Sequence, residues 1–293
     1  MNFILYLLFD FSDKSGDVFR FSKYEDKGKC ILGHLSMLLD LKLSEDANFI
    51  ITCDRDEKIR VSHYPNAYNI HNYCLGHTDF VSCLEIPNEF SGKYLISGSG
   101  DSTIRIWDYL KGKELDKVHC AQDAGLELLK IEETPETDLK IKRSQYPAVL
   151  SLRLMNTYFC VTMENYKGIL IYNYSDSLNV PDIARLPGRI TQPPRVHEWG
   201  PKLKLVMKIP LDHFVWDLHY LTPYPASPWM PQRIVILQAS KEKPILKFKL
   251  TYDPDREDLN FQEKVEVNLD QDFFEGKYNF FRKIEIGIKT MTG

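Results

Sequence analysis

The sequence predicts an all-β fold built from repeated four-stranded antiparallel sheets, the blades of a β-propeller. A segment beginning Gly33-His34 recurs as Gly76-His77, about 43 residues later, and each copy continues with short apolar segments separated by turn residues. A period of roughly 40–45 residues with several short strands per repeat is typical of propeller blades. The 293 residues are 43% hydrophobic and 12% aromatic, which excludes a disordered chain.

Three strands are readable in each of the two clear copies. The predicted strands are 37–43, 49–53 and 56–61 in the first copy and 80–86, 94–97 and 101–108 in the second. A third, weaker copy precedes them over 13–22. Turn residues separate all of these apolar segments, as expected for antiparallel strands joined by tight turns.

The period weakens after Asp108. The sequence predicts a long polar loop over 110–150 and a proline-rich stretch over 181–201. Strand-like segments return at 148–154, 158–162, 168–174, 214–218, 233–237, 244–250 and 265–267. We therefore expect one propeller domain over 1–293 with about five readable blades, and we expect N-terminal blades to be missing from the sequence.

Composition and charge exclude several functions. There are 37 Lys and Arg residues against 41 Asp and Glu residues, so a net charge of −4 disfavours a protein that grips nucleic acid on its own. None of the six cysteines forms a C-x-x-C pair, and the eight histidines have no metal-binding spacing, so we expect no metal or cofactor. The apolar run 3–9 is too short to cross a bilayer, so no membrane partner is expected.

No catalytic constellation can be assembled from the sequence. The segment 98–103 is rich in glycine and hydroxyls, but it lacks the lysine of a phosphate-binding loop and is followed by a strand. There is no G-x-S-x-G nucleophile turn. The sequence therefore predicts a protein that is not an enzyme.

The Gly76-His77 start and the Trp107-Asp108 end of the second copy resemble the WD-repeat family. The resemblance implies a buried chain of hydrogen-bonded polar residues within the blade, which we call the blade tie. These residues are His77, Ser97, Asp101 and Trp107. A tryptophan N–H only donates, an aspartate only accepts and a histidine does both, so every member can be satisfied. The first copy offers His34, Thr52 and Asp56, but Ser62 stands where tryptophan is expected.

A charged turn in the first copy is the candidate functional segment. It contains Arg55, Asp56, Glu57, Lys58 and Arg60. Charges of both signs at one corner can form a docking surface that steers a partner and fixes its register. The other interpretation is a solvated edge whose ion pairs contribute little. We expect Lys58 and Arg60 to point away from the face that carries Ile59 and Val61.

The segments 32–40, 54–62 and 74–82 together resemble one WD-repeat family closely, the non-catalytic subunits of tRNA (guanine-N7)-methyltransferase. The resemblance covers about residues 10–108 and is carried above all by the string Asp54-Arg55-Asp56-Glu57-Lys58-Ile59-Arg60. It implies a seven-bladed propeller that stabilises a separate catalytic subunit and performs no chemistry itself. S-adenosylmethionine would belong to that partner, and tRNA would be reached through the complex.

The resemblance also implies what the charged turn does. Arg55, Asp56, Glu57, Lys58 and Arg60 would lie at the heterodimer interface, and the complex would form N7-methylguanosine in the tRNA variable loop, in the nucleus. Two alternatives stay open. One is a generic WD-repeat adaptor, such as a substrate receptor of a ubiquitin ligase, which would co-purify with other proteins. The other is an enzyme with an unrecognised site.

Overall fold

The computed structural model describes residues 8–12, 16–22, 27–87, 93–126, 146–155, 158–176, 201–221, 232–238, 245–253 and 258–267. Most of these residues form strands, and one short helix, α1 (Cys120–Ala124), lies among them. The strands are arranged in five sheets, and neighbours in each sheet are consecutive in the chain. The predicted all-β class is confirmed.

The first two sheets contain the weak copy and the first clear copy of the repeat. The first sheet contains β1 (Leu8–Ser12), β2 (Asp17–Ser22) and β3 (Lys29–Gly33). The second contains β4 (Leu38–Leu43), β5 (Phe49–Asp54), β6 (Ile59–His63) and β7 (Ile70–Cys74). All pairs are antiparallel, as short hairpin turns require.

The third and fourth sheets follow the same plan. The third contains β8 (Val81–Glu85), β9 (Tyr94–Ser99), β10 (Thr103–Asp108) and β11 (Lys113–His119). The fourth contains β12 (Val149–Met155), β13 (Tyr158–Met163), β14 (Gly168–Asp176) and β15 (Pro201–Pro210).

The chain divides into two compact units, Met1–Ile209 and Pro210–Gly293. The second unit holds the fifth sheet, which contains β16 (Val215–Leu221), β17 (Gln232–Gln238), β18 (Ile245–Asp253) and β19 (Asp258–Val267). The sequence-based expectation of one domain over 1–293 stays a prediction.

Within the first unit, apolar clusters lie between successive sheets. Val18 and Leu32 of the first sheet pack with Leu38 and Ile50 of the second. A larger cluster joins the second and third sheets and includes Trp107. A further cluster joins the third and fourth sheets. Because middle strands such as β10 are covered on both faces, they are buried along their whole length.

The predicted loop over 110–150 is wrong in part. Strand β11 and helix α1 occupy its beginning, and the segment 127–145 lies outside the described residues. The strand is an outer edge of its sheet, and charged side chains on an edge strand protect it from pairing with other chains. Those same charges hide the alternation from which strands are predicted.

Candidate functional site

The third sheet contains the blade tie that the sequence predicts. Trp107 Nε1 donates to Ser97 Oγ over 2.8 Å, and Ser97 Oγ lies 2.7 Å from His77 Nε2. His77 Nδ1 lies 3.0 Å from Asp101 Oδ2. One arrangement of the protons satisfies every hydrogen bond of the tie: tryptophan donates to serine, serine donates to histidine, and histidine donates to aspartate. All four residues are buried, so the network joins strands β9 and β10 to the loop before β8.

Asp101 is the electrostatic centre of this tie. Burial alone would raise its pKa, but hydrogen bonds from His77 and Thr103 and, once His77 is protonated at acid pH, the charge of the imidazolium hold the pKa well below its ordinary value. Burial lowers the pKa of His77, and the hydrogen bond to Asp101 opposes this shift. The tie is therefore a neutral imidazole bonded to a carboxylate at neutral pH. Arg105 lies 3.5 Å from the same carboxylate and adds positive charge.

The second sheet has a different acid in its tie from the one the sequence predicts. His34 Nε2 lies 2.8 Å from Thr52 Oγ1, as expected, but His34 Nδ1 lies 3.0 Å from Asp54 Oδ2. Asp54 is buried, whereas Asp56 is exposed. The placement of Asp56 in the tie is therefore corrected to Asp54.

The turns that carry these acids explain the difference. The pair Cys53 and Ile59 closes the first turn, and the pair Gly98 and Ile104 closes the second, so Asp54 occupies the place of Ser99. In each turn the first residue accepts the N–H of the third, over 2.9 Å to Asp54 Oδ1 and 3.1 Å to Ser99 Oγ. The carboxylate of Asp54 has a second oxygen that reaches histidine, which the serine hydroxyl cannot provide.

Ser62 leaves the second tie incomplete. It occupies the place of Trp107, is fully buried, and its Oγ has no hydrogen-bond partner among the described residues. Thr52 Oγ1 therefore has no indole donor and lies instead 3.5 Å from the carbonyl oxygen of Arg60.

The charged turn presents four adjacent side chains to solvent. Arg55, Asp56, Glu57 and Lys58 are exposed. The backbone beneath them is held, because Asp54 Oδ1 accepts the N–H of Asp56 and of Lys58, at 2.9 and 3.2 Å. Glu57 has a positive φ of 69°, which turns the chain sharply at the tip. The structure thus brings these four charges together on a fixed turn.

Arg60 belongs to a different environment. It is buried at 9% exposure, and its Nη1 donates to the carbonyl oxygen of Gly33 over 3.0 Å. Burial lowers the pKa of its guanidinium, and a hydrogen bond to Tyr73 and the charge of Asp54 oppose that shift. The structure does not bring Arg60 to the exposed turn with the other four predicted docking residues, because Arg60 is used to tie β6 to the end of β3.

Sequence reasoning missed two contributors to the site. The sequence does not single out Asp54, because Asp54 and Asp56 are only two residues apart and either could be the acid that binds His34. Only the conformation of the turn selects one of them. Tyr73 was missed because the sequence does not predict β7. In the structure Tyr73 lies opposite Arg60 in the pairing of β6 with β7. Residues 70–74 show no regular alternation of apolar and polar side chains from which this strand could be predicted.

A polar cavity of about 370 Å³ lies among β4, β8 and β12. Its two cations, Lys42 and Arg153, both pair with Glu85, at 3.2 and 3.8 Å. Both carboxylate oxygens of Asp40 accept backbone N–H groups, from Leu41 and Leu84. These charges are therefore used within the chain.

The part of the chain that the structure describes also bears on metal binding and membrane crossing. No group of three or more His, Cys, Asp or Glu side chains there could hold a metal ion. No described helix has the length and apolar character needed to cross a bilayer. Burial raises the pKa of Cys74 and of Cys83 to about 12, so these thiols stay protonated as small core groups.

Repeated antiparallel sheets tied by histidine, serine, aspartate and tryptophan define a WD-repeat β-propeller protein. The model of one known family, tRNA methyltransferase TRM82 WD40 domain, matches residues 20–192, more than half of the chain. The chain belongs to this family.

Curated relatives carry one shared description, tRNA (guanine-N(7)-)-methyltransferase non-catalytic subunit. The Xenopus laevis protein, wdr4, is 35% identical over 81% of this chain and 50% of its own length. The Danio rerio wdr4 is 54% identical over 36% of this chain and 26% of its own length. The Homo sapiens WDR4 is 47% identical over 43% of this chain and 30% of its own length. The chain thus spans half or less of the relatives it matches.

A solved structure, the crystal structure of the C-terminal WD40 domain of Sif2, aligns with a TM-score of 0.49 and 12% identity, over 79% of this chain and 52% of that one.

Proposed function

We propose that this chain acts as the non-catalytic WD-repeat subunit of a tRNA (guanine-N7)-methyltransferase. It binds and stabilises the catalytic subunit, and it is required for N7-methylguanosine formation in the tRNA variable loop. The observation that carries the proposal is the exposed charged turn, Arg55 to Lys58, on a blade of a protein in this family.

The arrangement of the turn supports a docking role. In the neighbouring sheet the equivalent turn places Asp101 inside the tie. Here Asp54 takes that role, so Asp56 and Glu57 remain in solvent between Arg55 and Lys58. Solvated charges of both signs held on a fixed backbone contribute little to folding, but they can complement a partner and select its orientation.

The division of labour with the partner follows from the chemistry. The relatives are named non-catalytic subunits, and we assign no catalytic group to this chain. S-adenosylmethionine and the transfer of its methyl group belong to the partner, and tRNA is reached through the complex. A net charge of −4 agrees with this assignment, because phosphate binding requires an excess of Lys and Arg. We further propose that the complex works in the nucleus.

Charge reversal at Lys58 tests the proposal. Lys58→Glu places a carboxylate beside Asp56 and Glu57, and we expect binding to the catalytic subunit to weaken by at least about thirtyfold, or about 2 kcal/mol. Isothermal calorimetry with the two purified subunits measures this, and methylation of tRNA by the mixture reports the consequence. Lys117→Glu, the same change at an exposed position of β11, is the matched control.

Two results would contradict the proposal: the unmutated chain failing to bind the catalytic subunit, or Lys58→Glu binding as tightly as Lys117→Glu. Arg60→Glu is unsuitable for this test. It would bury a carboxylate against the carbonyl oxygen of Gly33, so lost binding would report damaged folding.

A further inference from the structure

Two exposed leucines stand on either side of the charged turn. Leu35 is 108% exposed, the highest value among the large hydrophobic residues that the structure describes, and Leu75 is 64% exposed. Isolated exposed leucines are common, so exposure alone carries no conclusion. The position of Leu35 and Leu75 beside the charged turn is what makes them candidates for a docking surface.

Leu35 lies in the loop before β4, which is bonded directly to the turn. The N–H of Arg55 donates to the carbonyl oxygen of Met37 over 3.0 Å, and the ring of His34 lies 3.0 Å from Asp54 Oδ2. The N–H of His34 also donates to the carbonyl oxygen of Gly16 over 2.9 Å. A Cβ on Gly16 would lie 2.4 Å from the carbonyl oxygen of Ser36, so this loop is closely packed from behind. Leu35 is therefore an apolar side chain displayed on a fixed backbone.

Leu75 lies on the other side of the same turn. It follows the final cross-strand pair of β6 and β7, Ile59 with Cys74, so antiparallel geometry places it next to Lys58. The same position of the repeat in the preceding copy is Leu32, which is buried at 4% exposure. The motif position thus carries a leucine in both copies, but only the first of them is covered within the chain.

We propose that Leu35 and Leu75 are the apolar anchors of a protein-docking surface formed with Arg55, Asp56, Glu57 and Lys58, which we call the leucine-flanked turn. This inference rests on the proposed function and commits to one occupant, the catalytic methyltransferase subunit. That partner presents apolar recesses for the leucines, with a basic side chain opposite Asp56 or Glu57 and an acidic one opposite Lys58.

The chemistry of the surface favours protein over RNA. The four charged side chains sum to zero, and Asp56 and Glu57 would repel phosphates. Leucine offers no ring on which a base could stack. Apolar anchors desolvated inside a polar rim are the usual arrangement of a protein interface. Both loops are already ordered, so little conformational entropy is lost when the partner binds.

Truncation of the leucines tests the inference. Leu35→Ala and Leu75→Ala remove methyl groups of side chains that are mostly exposed, so we expect circular dichroism spectra and melting temperatures close to those of the unmutated chain. We expect each variant to weaken calorimetric binding to the purified catalytic subunit by at least about tenfold. Thr78→Ala is the matched control, because Thr78 follows His77 as Leu35 follows His34. It should bind within about twofold of the unmutated chain.

The outcomes separate this inference from the proposed function. Full affinity in both leucine variants, beside tight binding by the unmutated chain, would overturn the anchors and leave the proposed function standing. No binding by the unmutated chain would overturn both. Binding of a tRNA probe to the isolated chain that either leucine variant abolishes would assign the surface to RNA and overturn the inference. If one leucine variant has a lowered melting temperature, the affinity of the other leucine variant for the catalytic subunit tests the inference.

Discussion

The turns at 54–58 and 99–103 have the same length and the same ladder register, yet only the first presents charged side chains to solvent. In the second turn Asp101, Thr103 and the nearby Arg105 turn inward and form a buried network around His77. In the first turn only Asp54 turns inward, and the four following side chains meet solvent. One inward acid serves each blade, and the first turn has four further charged residues whereas the second turn has none.

The two ties also differ in completeness. Trp107 donates to Ser97 in the third sheet, whereas Ser62 contributes no bond in the second. The third sheet therefore has the more complete buried hydrogen-bond network, and the second sheet has the larger number of exposed charged side chains on its turn. Two copies of a repeat can thus keep the same backbone arrangement while the residues of one copy stabilise the fold and those of the other present charged side chains to a partner.

Replacing the aspartates of the two turns by alanine should show which of them stabilise the fold. These changes should have the largest effects that we expect on the free energy of unfolding. Asp101→Ala should lower the free energy of unfolding by about 3 kcal/mol, since it strips a buried histidine and two N–H donors of their acceptor. Asp54→Ala should cost about 2 kcal/mol, and Asp56→Ala less than about 0.5 kcal/mol. Urea unfolding followed by circular dichroism measures all three. A larger cost at Asp56 than at Asp54 would contradict the assigned tie.

Acidification should weaken the third sheet through His77. Its pKa is lowered in the folded chain, because burial disfavours the imidazolium, so the unfolded chain takes up a proton at higher pH. The stability that neutral His77 provides is present above about pH 6.5 and is lost, at up to about 1.4 kcal/mol per pH unit, as the pH falls through the folded pKa.

The lowered pKa of Asp101 and of Asp54 adds a second loss below about pH 4, where these carboxylates protonate more readily in the unfolded chain. Urea midpoints between pH 8 and pH 3 measure both steps. A His77→Gln variant should lose the first step and keep only part of the second, because Asp101 then loses His77 while Asp54 keeps His34. An unchanged first step in that variant would show that other histidines cause it.

Removal of the hydroxyl at Ser62 should give the smallest effect and the opposite sign. Its buried Oγ has no partner, so Ser62→Ala should raise the free energy of unfolding by about 1 kcal/mol. Ser97→Ala, at a serine that accepts from Trp107, should lower it by about 1–3 kcal/mol. Equal effects of the two changes, again in urea unfolding, would contradict the difference between the ties.

The sequence predicts most middle strands because their apolar runs are bounded by turns. It places β5, β10 and β13 within one or two residues, since these strands are buried and bear few charges. The outer strands β7 and β11 escape prediction, because their charged and polar residues face solvent and break the alternation.

The tie of the third sheet is predictable from residue types alone, since only one acid is near. The tie of the second sheet is not, because Asp54 and Asp56 are alternative acids and the turn conformation chooses between them. The burial of Arg60 is equally hidden, because its partners Gly33 and Tyr73 come from two other strands. The anchoring role that we propose for Leu35 and Leu75 rests on their exposed fractions, and the sequence hides it at Leu75 because the same repeat position holds the buried Leu32 in the preceding copy.

The most direct test of the docking turn is to give it the sequence of its counterpart. The triple change Arg55→Gly, Glu57→Ser and Lys58→Thr keeps Asp54 and its tie, and it converts residues 55–58 to those found at 100–103. We expect a folded chain whose affinity for the catalytic methyltransferase subunit, measured by calorimetry, falls by more than about a hundredfold. A triple variant that binds as the unmutated chain does would contradict the central role of this turn.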